Sequence, residues 1–119
     1  MIYRALAQLD SRAVIVHFPF GLPEREIQYG YYASLTHRRI LNGYSGSFPV
    51  TYRMWVPTLR NAVADPGAAV ALLESERVTH AVVHTSAWFD NSGLRLVESL
   101  EGSGWRRIGS YDGDYLLAK

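Results

Sequence analysis

The chain of 119 residues has no cysteine, one lysine and no long apolar segment. The lack of cysteine excludes disulfide bonds, thiol catalysis and cysteine-ligated zinc. The net charge is +1, so we expect no strong attraction to nucleic acid and no nucleic-acid partner. No apolar run approaches the roughly 20 residues of a transmembrane helix. Charged residues at Arg4, Asp10 and Arg12 exclude a signal peptide at the start.

What remains is typical of a folded globular protein, with 48% hydrophobic and 19% charged residues. The length predicts a single domain over 1–119. Alternating apolar patterns predict an α/β fold: a mostly parallel three-layer sheet, helices on both faces, and a C-terminal antiparallel hairpin at one edge. The predicted helices are 2–9, 23–36, one from about 49 that Pro57 breaks or kinks, 65–76 and 91–100. The predicted strands are 13–18, 39–41, 79–84, 105–111 and 115–118.

The helix over 23–36 has an apolar stripe at helical spacing. Ile27, Tyr31 and Leu35 fall at i, i+4 and i+8, so we expect them to face the core. Tyr29 and Tyr32 lie off this stripe, which predicts rings that are accessible or only partly covered. Tyr32 is therefore a candidate for stacking on a sugar ring, with packing in the interior as the alternative.

The segment that follows this helix is unlike ordinary helix or strand sequence. His37-Arg38-Arg39 is a basic turn, and Asn42-Gly43 is a strong turn signal. His37 and Arg38 could hold a phosphate, because the arginine fork matches phosphate oxygens. One alternative is a place at the lipid head groups beside a membrane. Another is a solvated helix C-terminus, where cations are favoured.

The loop Asn42-Gly43-Tyr44-Ser45 could hold a sugar or phosphate through its backbone N–H groups. The alternative is a tight turn that Tyr44 anchors. The pattern is not that of a P-loop, since it has no G-x-x-x-x-G-K-[ST]. We predict no cofactor.

His84 ends the second apolar strand. Ligands of open α/β sheets bind beyond the carboxyl ends of the parallel strands. The segments 18–21, 42–46 and 84–86 are therefore expected to meet in a binding site that includes His84. The alternative is a histidine that only makes structural hydrogen bonds. We predict no metal site, because His80 and His84 lie about 13 Å apart along a strand.

Several of these motifs together carry a family resemblance. They are a strand followed by Phe-Pro-Phe-Gly at 18–21, a glutamate followed by three tyrosines at 26–32, and H-R-R-x-L-N-G-Y-S-G-x-x-P at 37–49. An Asp-Pro helix and the strand 81–84 follow. This pattern resembles the C-terminal soluble domain of bacterial multi-spanning GT-C-type glycosyltransferases, which are mannosyltransferase-like membrane proteins. Two features differ: His17 stands where relatives would have a glutamate, and no residue corresponds to their catalytic aspartate.

The resemblance implies a non-catalytic extracytoplasmic domain that helps to hold a lipid-linked sugar donor or a glycan acceptor. Its partners would be a polyprenyl-phosphate sugar and the membrane-embedded portion of the same protein. Outside such a protein, a cytoplasmic location is expected. One alternative is an interaction module that uses Trp55, Trp88 or Phe89 in an exposed patch. Another is a small sugar- or nucleotide-acting enzyme with His84 as its acid or base.

Overall fold

The computed structural model describes residues 2–36, 38–42 and 50–119, and of 50–52 it describes the helical backbone alone. His37, Gly43, Tyr44 and Ser45, four of the predicted site residues, lie outside the described residues. The described elements follow in chain order: α1 (Ile2–Ala7), β1 (Val14–Phe18), α2 (Pro23–Thr36), β2 (Arg39–Ile40), α3 (Val50–Arg60), α4 (Pro66–Ser75), β3 (His80–His84), α5 (Ser92–Gly102), β4 (Arg106–Tyr111) and β5 (Asp114–Ala118), with a 3₁₀ turn at Thr85–Ala87.

The described strands form a five-stranded mixed sheet in the order β2-β1-β3-β5-β4. β1 runs parallel to β2 and β3, whereas β5 runs antiparallel to β3 and β4. The C-terminal hairpin at one edge is confirmed. The prediction of a mostly parallel sheet is wrong. The pairs β1–β2 and β1–β3 are parallel, but the pairs β3–β5 and β4–β5 are antiparallel. The three-layer arrangement stays a prediction.

Two apolar clusters use alternate residues of the central strands. The larger includes Val16, Phe18 and Val83 with buried side chains of α3, α4 and α5. The smaller joins Ile15 and Val82 to α1 and Leu116. Successive strand residues point to opposite faces of a sheet, so these clusters divide the core between the two faces. The Cα radius of gyration is 12.9 Å, close to the ~13.5 Å expected of one compact domain of this length.

Local signals place several element boundaries. Asp65 caps α4, because its side chain accepts a hydrogen bond from the N–H of Ala68 at 3.2 Å, and Pro66 occupies the first helical position. Asp112 and Gly113 both have positive φ, 52° and 90°, and form the turn of the β4–β5 hairpin. The predicted helix start and the predicted hairpin turn are both confirmed.

Pro57 does not break α3, which is continuous from Val50 to Arg60, so of the predicted break or kink the break is wrong. Leu59, two residues after Pro57, is buried in the larger core cluster. The stripe of α2 predicted to face the core is exposed, with Ile27, Tyr31 and Leu35 between 52% and 61% accessible. Glu26 and Tyr29 are buried instead, so the prediction that the ring of Tyr29 is accessible or only partly covered is also wrong.

Candidate functional site

The candidate site lies where the direction of the chain's connections reverses. The connection after β1 leads to β2 on one side of β1, and the connection after β2 leads to β3 on the other. In open α/β sheets, ligands bind beyond the carboxyl ends of the two strands that flank such a reversal. Here those strands are β1, which ends at Phe18, and β3, which ends at His84. We call this the switch edge of the sheet.

Three side chains on adjacent strands form a hydrogen-bonded chain at the switch edge. Nδ1 of His17 lies 3.0 Å from Nε2 of His84, and Nδ1 of His84 lies 2.9 Å from Oδ1 of Asp114. The register explains the contacts: His84 is paired with Asp114 across β3 and β5, and His17 is paired with Val82, two residues before His84. All three side chains therefore lie on the same face of the sheet.

The carboxylate at one end fixes the tautomers along this chain. Asp114 accepts a hydrogen bond, so His84 carries its proton on Nδ1 and leaves Nε2 as an acceptor. The N–H at Nδ1 of His17 then donates to Nε2 of His84. In the neutral pair, Nε2 of His17 is the basic nitrogen at the far end. The arrangement can pass a proton between its ends, with His84 in the middle.

The three hydrogen-bonded side chains differ in how deeply they are buried. His17 and His84 are 2% and 5% accessible, whereas the side chain of Asp114 is 23% accessible. Burial, and next the neighbouring His84, hold the pKa of His17 well below its ordinary value. His17 is therefore neutral at pH 7, and Asp114 is the end of the chain that meets solvent.

Aromatic rings of α1 and α2 cover this polar chain. The ring of Tyr29 stacks on those of His17 and His84, with centroids 4.5 and 5.2 Å apart. Its hydroxyl donates to the carbonyl of Pro19 at 3.2 Å. Tyr3 stacks on Tyr32 at 3.8 Å, and its centroid is 6.3 Å from that of His17. Burial, followed by the charge of Asp114, raises the pKa of Tyr3 to about 12.

A second polar network fixes Asn42 beside His17. Oδ1 of Asn42 accepts from the N–H of His17 at 2.7 Å, and Nδ2 donates to the carbonyl of His17 at 2.9 Å. The side-chain amide thus continues the pairing of β2 with β1 after the backbone of β2 has ended. Nδ2 also donates to Oε1 of Glu26 at 2.9 Å, and that oxygen accepts from the N–H of Gly21 at 2.8 Å.

Glu26 is therefore the point where three segments join. It belongs to α2, and its carboxylate accepts hydrogen bonds from Gly21 in the turn after β1 and from Asn42, the second residue after β2. It is fully buried, so these donors replace the hydration that the carboxylate loses. This requirement turns the Glu26–Tyr29 side of α2 inward and leaves its apolar stripe outside.

The structure brings together two of the residues predicted for the site, Asn42 and His84. Tyr32 reaches the same region through Tyr3. Arg38 does not: its guanidinium donates to the carbonyls of Ala7 and Leu9 and secures the end of α1. Neither Glu26 nor Asp114 was among the predicted site residues. Asp114 had one signal, its place at the start of the strand after the Asp-Gly turn.

The aromatic residues of the interaction-module hypothesis behave differently from one another. Trp55 and Trp88 pack against the larger core cluster and are half-buried. Phe89 is fully exposed. A single exposed apolar side chain is common on protein surfaces and does not by itself mark an interface.

No described helix has both the length and the apolar character that crossing a membrane requires. Comparison of the chain with protein-family models, with curated proteins and with solved structures gave no match.

Proposed function

We propose that this domain is a non-catalytic, extracytoplasmic part of a GT-C-like membrane glycosyltransferase, and that its switch edge holds a lipid-linked sugar donor or a glycan acceptor. The membrane-embedded portion of the same protein would be its partner; outside such a protein the domain would be cytoplasmic. In this proposal the sheet carries helices on both faces, which the two core clusters support.

The observation that carries the proposal is the fixation of Asn42. This residue begins the Asn-Gly-Tyr-Ser-Gly segment of the motif that resembles the glycosyltransferases. Its three hydrogen bonds hold Asn42 against His17 and Glu26. His17 is the first of the hydrogen-bonded side chains that continue through His84 to Asp114. Asn42, the first residue of this segment, lies at the edge where α/β sheets bind ligands, which supports the proposal.

The groups at this edge suit a sugar. Asp114 offers a partly accessible carboxylate, which accepts hydrogen bonds from sugar hydroxyls. Tyr3 and Tyr32 offer half-buried rings with polar tips, a combination suited to surfaces that are part apolar and part wet. The charge of Asp114 acts on Tyr3, so the carboxylate and the ring lie in one region.

The proposal is tested by titrating the ¹⁵N-labelled domain with a prenyl-phosphate mannose that has a two-isoprene tail. We expect saturable shifts at residues around Asp114 and Tyr32. Asp114→Asn should weaken binding roughly tenfold, because a charge-assisted hydrogen bond is worth about 1.5 kcal/mol or more. Asp112→Asn is the matched control, since asparagine tolerates the positive φ of this turn residue. Spectra unchanged at saturating ligand would refute a ligand-holding role.

A second candidate is a small enzyme that acts on sugars or nucleotides by proton transfer. The hydrogen-bonded chain from Asp114 to His17 favours it, because it supplies the second titratable group that an acid or base at His84 requires. Turnover of a panel of nitrophenyl glycosides and nucleotides that His84→Gln abolishes, with the fold retained, would support it. Equal turnover by this variant and the wild type would remove His84 from the reaction.

A further inference from the structure

An apolar crevice of about 170 Å³ opens on the other face of the switch edge. Phe18 follows His17 in β1, so its side chain points away from the histidine chain and lines this crevice. Leu59 and Ala62, from the end of α3 and just beyond it, form a second wall. Trp88 and Leu96 line it from the C-terminal half of the chain.

One charged side chain lines this crevice, that of Arg60 in the last turn of α3. Its stem packs on the turn after β1: a Cβ at Gly21 would lie 3.7 Å from Cδ of Arg60. The residue as a whole is exposed. Arginine commonly buries its stem in this way and keeps its guanidinium at the surface.

In the part of the chain that the structure describes, Arg60 forms no ion pair with an acidic side chain. Arg38 differs, since its guanidinium is engaged by backbone carbonyls. Among the described residues, the crevice thus combines an apolar interior with a guanidinium that forms no ion pair.

We infer that this crevice binds an anionic amphiphile, a molecule with a short apolar tail and a single phosphate or carboxylate group. The tail would lie among Phe18, Leu59 and Leu96, and the oxyanion would meet the Arg60 guanidinium. The planar guanidinium fork matches both phosphate and carboxylate oxygens. A cationic or neutral head group of the same length lacks this contact.

The volume limits the tail that fits. The crevice offers room for about six water-sized groups. A linear tail should therefore fill it at roughly six carbons, and longer tails should extend into solvent. Each methylene buried before that point should tighten binding about fourfold.

This inference does not depend on the proposed sugar-holding role. The crevice and Arg60 lie on the opposite face from His17, Tyr32 and Asp114. Failure of one test therefore leaves the other intact: Asp114→Asn should not alter amphiphile binding, and Arg60→Gln should not alter shifts around Asp114.

The experiment titrates the ¹⁵N-labelled domain with n-alkyl phosphates from ethyl to decyl and follows the indole N–H of Trp88. The Trp88 resonance is identified by its loss in Trp88→Phe, and that of Trp55 serves as an internal reference. We expect the affinity to rise about fourfold per methylene and to level off near six carbons. An affinity independent of chain length would overturn the inference.

Two variants and one head-group change complete the test. Arg60→Gln should weaken hexyl phosphate binding roughly fivefold, whereas Arg53→Gln, an exposed control on the same helix, should change it less than about twofold. Val63→Phe, which places a larger side chain in the lining, should abolish binding. If hexyl trimethylammonium bound as tightly as hexyl phosphate, or if the two arginine variants behaved alike, no anionic ligand would be recognised here.

A last arm distinguishes a free ligand from a membrane lipid with the same chemistry. Vesicles of phosphatidylcholine doped with phosphatidic acid are sedimented with the domain. Cosedimentation that Arg60→Gln removes would identify a lipid in a bilayer as the ligand. Shifts with soluble hexyl phosphate but no cosedimentation would identify a free amphiphile.

Discussion

Replacing Asn42 with aspartate removes the side-chain N–H donor from the buried contact between Asn42 and Glu26. Nδ2 of Asn42 donates to Oε1 of Glu26 and to the carbonyl of His17, each at 2.9 Å. In Asn42→Asp, an oxygen takes the place of this donor. It then faces a carboxylate and a carbonyl, both of which are acceptors. The contact survives only if the pair of carboxyl groups keeps one proton.

The size of the effect follows from this shared proton. Carboxyl groups in the unfolded chain release their protons near pH 4. Two carboxylates in contact raise the pKa of one of them strongly, so the folded variant keeps a proton that the unfolded variant has lost. The free energy of unfolding then falls by about 1.4 kcal/mol for each pH unit above roughly pH 5. Between pH 5 and pH 7 the variant should lose about 2.7 kcal/mol relative to the wild type.

The assay is urea unfolding of both proteins at a series of pH values from 5 to 7. Histidine titrations common to both proteins cancel in the difference, and Asn61→Asp on the surface controls for the added charge. We expect the difference between Asn42→Asp and the wild type to grow steadily with pH. A constant difference would show that the amide of Asn42 does not face the carboxylate of Glu26, and the site as described would be wrong.

Three further predictions concern single side chains. Arg77 follows α4 with a φ of 57°, so Arg77→Gly should stabilise the domain by about 1 kcal/mol in thermal unfolding, whereas Arg77→Ala should not. Pro57→Ala should also stabilise the domain, raising the free energy of unfolding by roughly 1 kcal/mol or more, because it restores a hydrogen bond inside α3. An unchanged unfolding midpoint would mean that α3 is interrupted at Pro57. Because burial lowers the pKa of His17, the unfolded chain binds a proton below about pH 6.5 that the folded chain does not. Stability should therefore fall as the pH drops below that value, and His17→Gln should flatten this slope in chemical denaturation.

Local chemistry accounts for the parts of the fold that the sequence predicted. Asp65-Pro66 and Asp112-Gly113 determine their own backbone conformations, so the start of α4 and the β4–β5 turn needed no knowledge of the rest of the chain. Runs of β-branched residues likewise predicted β1 and β3. Which strand would lie beside β3 depended on contacts far along the chain, and for this reason the contact of Asp114 with His84 was not predicted.

The inward face of α2 shows why periodicity failed at the site. The spacing of Ile27, Tyr31 and Leu35 is that of an amphipathic helix, and a helix considered alone would bury it. Glu26 is instead buried because Gly21 and Asn42, which are close in space but 5 and 16 residues away in sequence, supply its donors. A sequence pattern contains no information about such partners. Conflicts of this kind between local and global preference are expected at functional sites.

The composition of the switch edge is itself an argument for function. Five polar or charged residues are buried in the described chain, and four of them, His17, Glu26, Asn42 and His84, belong to the two connected networks at this edge. Well-packed apolar groups of similar volume commonly stabilise a core as well as or better than buried ionic groups do. The same strands show this on their other face, where apolar side chains fill the larger core cluster. One face of this edge is thus built from apolar side chains and the other from hydrogen-bonded polar groups, and the edge lies at the reversal of the chain, where open α/β sheets bind their ligands.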